Sequence, residues 1–112
     1  MEDSITVNGV EYVRKSSNEK PYVIIRSDRA GVFAGNLISR IGNEVILDNS
    51  RRIFFWAGAA SLSQLAVDGT SKPKECKFPA PLDGHTILGV IEVIPCSEKA
   101  KKSISEVKVW QE

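Results

Sequence analysis

Apolar residues along this chain mostly recur at the two-residue spacing of strands. They fall in short runs bounded by turn pairs such as Asn8-Gly9, Gly42-Asn43 and Asn49-Ser50. SITVNGVEYV, residues 4–13, is two β-rich runs joined by Asn-Gly, the pair suited to a type I′ hairpin turn. RKSSNEKP (14–21) is a polar loop, and YVIIRS (22–27) is a near-continuous apolar strand of the kind covered on both faces. Next come VFAGNLISRI, EVILD and RRIFFW, three predicted strands with Gly35 marking a bulge or a close backbone approach. Turns 8 to 12 residues apart are those of an antiparallel meander.

The period changes at SLSQLAVDG. Ser61 and Gln64 form a capping-box pair, Leu62, Leu65 and Ala66 share one helical face, and Gly69 suits the C′ position. TSKPKECKFPAPLDG is a proline-bearing loop, HTILGVIEVIP is a strand ended by Pro95, and Ser97 would cap a short helix through SEKAKKS. EVKVW alternates as an edge strand with Lys108 outward. These elements predict an α+β, mostly β fold. It is an antiparallel meander sheet with two short helices, about 61–68 and 97–103, in a single domain spanning 1–112.

Composition narrows the function. The net charge of +1 gives no basic excess for binding a nucleic-acid polymer or a membrane surface, so any anion site must be local. No apolar run approaches the roughly 20 residues of a membrane span. Two isolated cysteines, Cys76 and Cys96, and one histidine, His85, are too few for a zinc site built on Cys and His. The opening MEDSITVNG is acidic and polar, unlike a secretory signal, so reduced thiols in the cytosol are expected. His85 beside Asp83 makes no recognisable catalytic constellation, and neither a P-loop, GxSxG nor HExxH is present. No cofactor, metal or catalytic residue is expected.

The densest chemistry lies in NSRRIFFWAGAASLSQLAVDG, residues 49–69. Arg51 and Arg52 each carry the planar fork that matches phosphate. On a strand, Arg52, Phe54 and Trp56 would share one face, with Arg51, Ile53 and Phe55 on the other. One guanidinium beside two rings suits a nucleotide, since stacking on an aromatic is worth about 1–3 kcal/mol per base. The competing reading places the rings in the core and the arginines in water. Lys77 and Phe78 on the loop would clamp a ring, or Phe78 would plug the core. Arg26 and Arg29 flank Ser27-Asp28 as a second anion site or as a local pair with Asp28.

The strings AGVFAG, RRIFFWAGAASLSQLA, GTSKPKECKF and VIEVIPCSEKAKKSI, spread over residues 22–110, resemble the first-described Thoeris anti-defence family of small phage proteins. That resemblance implies a non-catalytic sponge for cyclic ADP-ribose isomers made by bacterial TIR-domain enzymes. It also implies a homo-oligomer, dimer or hexamer, with ligand pockets at the shared interface, and in some members sites for the cyclic di- and trinucleotides of CBASS. Such a protein would act in the cytoplasm of the infected bacterial host. On this reading Arg52 and Lys77 contact phosphate, Phe78 stacks on the base, and Phe54 or Trp56 forms a wall. Lys101, Lys102 and Ser105 come from the second subunit. Arg29, Ala30 and Gly31, with Arg26 nearby, form a second site. The family pattern has an arginine in the C-terminal stretch, where KAKKSISEVKVW has only lysines. A lysine lacks the two-pronged grip on phosphate. The alternative is a small phage structural or adaptor protein that uses RRIFFW as a protein-protein surface, since arginine and aromatics also make interface hot spots.

Overall fold

The computed structural model describes residues 20–111. The hairpin expected at 4–13 and most of the following loop lie outside the described residues. Among the described residues, five strands form one antiparallel sheet: β1 (Tyr22–Ser27), β2 (Gly31–Ile41), β3 (Glu44–Arg52), β4 (His85–Ile87) and β5 (Val90–Pro95), ordered β4-β3-β2-β1-β5. Helix α1 (Leu62–Asp68) and a 3₁₀ turn (Pro73–Glu75) lie between β3 and β4, and α2 (Glu98–Ser105) follows β5. The fold is α+β and mostly β, a meander through β1, β2 and β3 extended at both edges.

The order of the strands forces the sheet to curl. β4 and β5 are its opposite edges, yet only Leu88 and Gly89 separate them in sequence. Three peptide steps reach about 11 Å at most, whereas four strand spacings in a flat sheet cover about 19 Å. The curl is visible in the bonds around this linker. Asp28 N–H donates to the Gly89 carbonyl at 2.8 Å, and Val90 N–H donates to the Asn43 carbonyl at 2.9 Å. Asp28 precedes β2 and Asn43 follows it, so both ends of this 11-residue strand meet the same linker. Register shifts at Ala34/Asn36 and Leu37/Ser39 bend β2 enough to allow it.

Curling gives the chain two apolar cores. Val23, Ile25, Phe33, Val45, Leu47, Ile87 and Val90 fill the inner, concave side of the sheet. Tyr22, Ile24, Ala34, Leu65, Ala66, Phe78 and Ile104 form the second core, where α1 and α2 cover the outer side. The uninterrupted YVIIRS run follows from this arrangement, because successive residues of β1 enter alternate cores.

Both helices start where their caps predict. Gln64 N–H donates to Ser61 Oγ, and Ala100 N–H donates to Ser97 Oγ at 3.0 Å. In the reciprocal bond Gln64 Oε1 accepts from the Ala60 N–H, one residue outside the box. α2 runs to Ser105, two residues beyond the expected end. Gly35 is a close approach: a Cβ there would lie 2.8 Å from the Asp48 carbonyl oxygen.

Three expectations fail. RRIFFW is not a separate strand. The chain passes through Asn49 and Ser50 within β3, and Asn49 accepts a left-handed φ of 51° there instead of turning back. Beyond Ile53 the backbone leaves β2 and pairs with Lys77, whose N–H donates to the Phe55 carbonyl at 2.8 Å. HTILGVIEVIP breaks into β4 and β5 at Gly89, whose φ is 69°. EVKVW is no edge strand; it makes one isolated bridge, Phe78 to Val109. Its neighbour carries Pro79 and Pro81, which lack the N–H groups a ladder needs.

Candidate functional site

The bulge in β3 and one face of α2 flank a cavity of about 240 Å³, lined by Tyr22, Asn36, Asn49, Arg51, Pro81, Lys101 and Ser105. Lys101 and Ser105 are four residues apart on α2 and so lie on one face of it. Asn49 and Asn36 meet across the bulge, with Asn49 Nδ2 donating to Asn36 Oδ1 at 3.2 Å. The Asn49 backbone is held in its left-handed conformation by Asp83, whose Oδ1 accepts the Asn49 N–H at 2.8 Å. Asn36 Nδ2 donates to the Lys20 carbonyl at 3.2 Å.

Arg51 is the buried cation of the site, 3% exposed. Its fork is closed on main-chain oxygens: Nε donates to Pro79, Nη1 to Ile104 and Val107, and Nη2 to Phe78 at 2.7 Å. The guanidinium also lies 5.6 Å from the centre of the Phe78 ring. Carbonyls at the end of α2 carry the negative end of the helix dipole and stand in for an anion. Five N–H groups against four bonds leave one Nη2 hydrogen without an acceptor among the described residues. Burial lowers the Arg51 pKa, and the nearby Tyr22 hydroxyl opposes that shift.

Tyr22 supplies an unsatisfied polar atom. Its residue is 7% exposed, and its hydroxyl oxygen is buried with no hydrogen-bond partner among the described residues. Burial raises its pKa, Cys96 adds to the rise and Arg51 offsets part of it, so the phenol stays protonated and able to donate. Among the described residues the lining therefore holds two cations and several polar groups, with no carboxylate or imidazole. Chemically it suits an oxyanion.

The residues singled out from sequence fall into separate places. Arg52 does not share a face with Phe54 and Trp56, because residues past 52 are no longer strand. Its guanidinium lies over Phe33, 4.6 Å from the ring centre, and Nη1 donates to the Ala30 carbonyl at 2.7 Å. That joins Arg52 to Ala30 and Gly31 of the second candidate site. Arg29 is exposed in the same turn. Arg26 pairs with Glu92 at 2.8 Å across β1 and β5, not with Asp28. Phe78 is fully buried, so its ring cannot stack on a base; it is the core plug of the competing reading. Trp56 is half-buried against the outer core, with Nε1 donating to the Ala59 carbonyl. Phe54 is 62% exposed and stacks on Trp110 at 5.3 Å, with Lys77 Nζ 5.6 Å from the Trp110 ring centre. Lys102 is turned away from the cavity and lines a different hollow with Pro73, Lys99, Ser103 and Glu106. Of the C-terminal candidates, Lys101 and Ser105 stand together beside Arg51.

Sequence reasoning missed Tyr22, Asn36 and Asn49, and it favoured Arg52 over Arg51. Tyr22 sits inside an apolar run, and the only local signal for the asparagines is their tolerance of a left-handed bulge.

His85 is half-buried at the edge of the inner core. Ser50 Oγ lies 2.9 Å from its Nδ1, and its ring meets Phe33 edge to face at 5.2 Å. Ser50 is 1% exposed, so no substrate reaches this hydroxyl. Burial and then Arg52 lower the His85 pKa. Cys76 and Cys96 are both free thiols, and burial pushes Cys96 up to about 11. Among the described residues no three His, Cys, Asp or Glu side chains gather in a metal-binding group, and no helix is long and apolar enough to cross a membrane.

A match to a known family extends over the sheet, both helix caps and most of α2. No curated protein and no solved structure matches the chain. The model of the family described as "Domain of unknown function (DUF6948)" matches residues 20–104, well over half of the sequence, and the chain belongs to that family.

Proposed function

We propose that this protein is a non-catalytic sponge. It binds a cyclic nucleotide messenger of the cyclic ADP-ribose isomer class and holds it away from its effector, in the cytoplasm of an infected bacterial host. On this reading it lets a phage evade Thoeris defence, and CBASS defence where cyclic di- or trinucleotides also bind. The observation that carries the reading is the cavity at which Arg51, Lys101 and Ser105 converge, with no carboxylate among its described lining residues. The sequence resemblance to the anti-defence sponges supplies the ligand class.

Size argues for an oligomer. Pockets that bury most of a drug-sized ligand span about 300–1,000 Å³, and this one is about 240 Å³. One chain therefore encloses a fragment of a dinucleotide-sized ligand, and a second chain of the homo-oligomer would close over the rest. A sponge also needs dissociation constants near nanomolar, about −12 kcal/mol, which requires such enclosure. The test is to purify the protein from cells making the messenger, look for nucleotide absorbance, and release the ligand by heat. Intact messenger supports sequestration, degraded messenger would indicate an enzyme, and none would remove the reading.

A second reading has its own observation. Phe54 and Phe55 are 62% and 51% exposed beside Trp110 and Lys77. Large exposed rings with a nearby cation suit a protein-protein surface on a small phage adaptor. Phe54→Ser would then abolish partner capture and leave nucleotide binding unchanged.

A further inference from the structure

The Tyr22 hydroxyl is the one buried side-chain polar atom without a partner among the described residues. A buried unsatisfied group carries its full desolvation penalty, so it stands where something completes it or where a role outweighs that penalty. Tyr22 lines a cavity that has other donors without acceptors among the described residues. Lys101 forms no ion pair among the described residues. Arg51 keeps one Nη2 hydrogen after its four carbonyl bonds. Asn36 and Asn49 each commit one Nδ2 hydrogen, to the Lys20 carbonyl and to Asn36 Oδ1, and keep a second. Ser105 Oγ donates to the Lys102 carbonyl at 3.1 Å, which leaves it only lone pairs to offer.

We infer that this cavity is an oxyanion subsite for a single phosphate group, in which Tyr22 donates its phenolic hydrogen to the phosphate while Lys101 and Arg51 supply the charge. This deepens the proposed function and rests on it for the nucleotide to which the phosphate belongs. The same chemistry would take inorganic phosphate or pyrophosphate, which makes the subsite testable by itself. A protonated phenol donates to an oxyanion and sets no negative charge against it.

The experiment follows thermal unfolding and calorimetric binding of the full chain with sodium pyrophosphate at constant ionic strength, for wild type, Tyr22→Phe and Lys101→Gln. Tyr22→Phe deletes only the hydroxyl. The expected result is a variant at least as heat-stable as wild type without anion, with pyrophosphate affinity weakened about tenfold. Lys101→Gln, on the helix surface, should fold normally and weaken affinity as well. Equal affinity in all three proteins would overturn the inference, as would wild type that shows no pyrophosphate-dependent shift at millimolar concentration. If Tyr22→Phe does not fold, the Lys101→Gln comparison decides alone. A parallel titration with a cyclic ADP-ribose isomer separates the two claims. Isomer binding unaffected by pyrophosphate or by either substitution sinks the subsite and leaves the sponge. Pyrophosphate binding without isomer binding does the reverse.

Discussion

Arg51 and Arg52 are neighbours in sequence and serve opposite sides of one curled sheet. Arg51 closes on the carbonyls of Phe78, Pro79, Ile104 and Val107 beneath α2. Arg52 lies over Phe33 at the mouth of the inner core and holds the Ala30 carbonyl. Alternation along β3 sends the two forks apart. One fastens the helix that carries Lys101 to the sheet that carries Tyr22, and so shapes the cavity. The other caps the inner core.

Arg51→Lys should therefore fail as a conservative change. An ammonium has three donors at one point and cannot span four carbonyls set in a fork. The expected loss is about 2–4 kcal/mol of unfolding free energy, because bonds from a charged donor are worth roughly 1.5–3 kcal/mol and several would go together. Urea denaturation of the variant reads it directly, and an unchanged midpoint would show that the carbonyl cage is dispensable.

Lys101 and Lys102 should behave differently although they are adjacent. Lys101→Ala should weaken binding of a phosphate-bearing ligand at least tenfold and flatten its dependence on salt, because an anion contact is lost. Lys102→Ala should leave both unchanged, since this lysine lines another hollow. Calorimetric titration at two salt concentrations distinguishes the pair.

Gly69 ends α1 at φ 75°, and a Cβ there would collide with the Ser103 side chain of α2. Gly69→Ala should cost about 2–3 kcal/mol, combining left-handed strain with overpacking where the two helices meet. Thermal unfolding would show the loss, and a change of a few tenths of a kcal/mol would mean that the helices part easily.

His85 should make stability fall on mild acidification. Its folded pKa is lowered, first by burial and then by Arg52, below the ordinary value of about 6.5. The unfolded chain then takes up a proton before the folded one does. The stabilisation is whole above pH 6.5 and is lost as pH falls through the lower, folded value. Urea midpoints compared between pH 7.5 and 5.5 should show the decline in wild type and a flatter profile in His85→Gln.

Much of the architecture is legible in the sequence because its signals are local. Ser61 and Ser97 announce helix starts through bonds made within four residues. Gly42-Asn43 turns the β2–β3 hairpin as its composition suggests. Other features depend on distant partners. Asn49-Ser50 looks like a turn, but Asp83 and Leu82, more than thirty residues away, hold it inside β3. Phe78 looks available on a proline-rich loop, and only the closing of α2 over it fixes it in the core. Tyr22 reads as one more apolar strand residue, because the hydroxyl's isolation is a property of the assembled cavity. Lys101 and Lys102 are equal as a sequence string; the phase of α2 against β3 separates them.

The central claim is that the cavity between β3 and α2 holds a nucleotide without transforming it. Calorimetric titration of wild type and Lys101→Ala with a cyclic ADP-ribose isomer, followed by heat release and chromatography of the ligand, tests it most directly. The account predicts near-nanomolar binding to wild type, at least tenfold weaker binding to Lys101→Ala, and recovery of unaltered ligand from both. No heat with any isomer, or equal affinity in the two proteins, would contradict it.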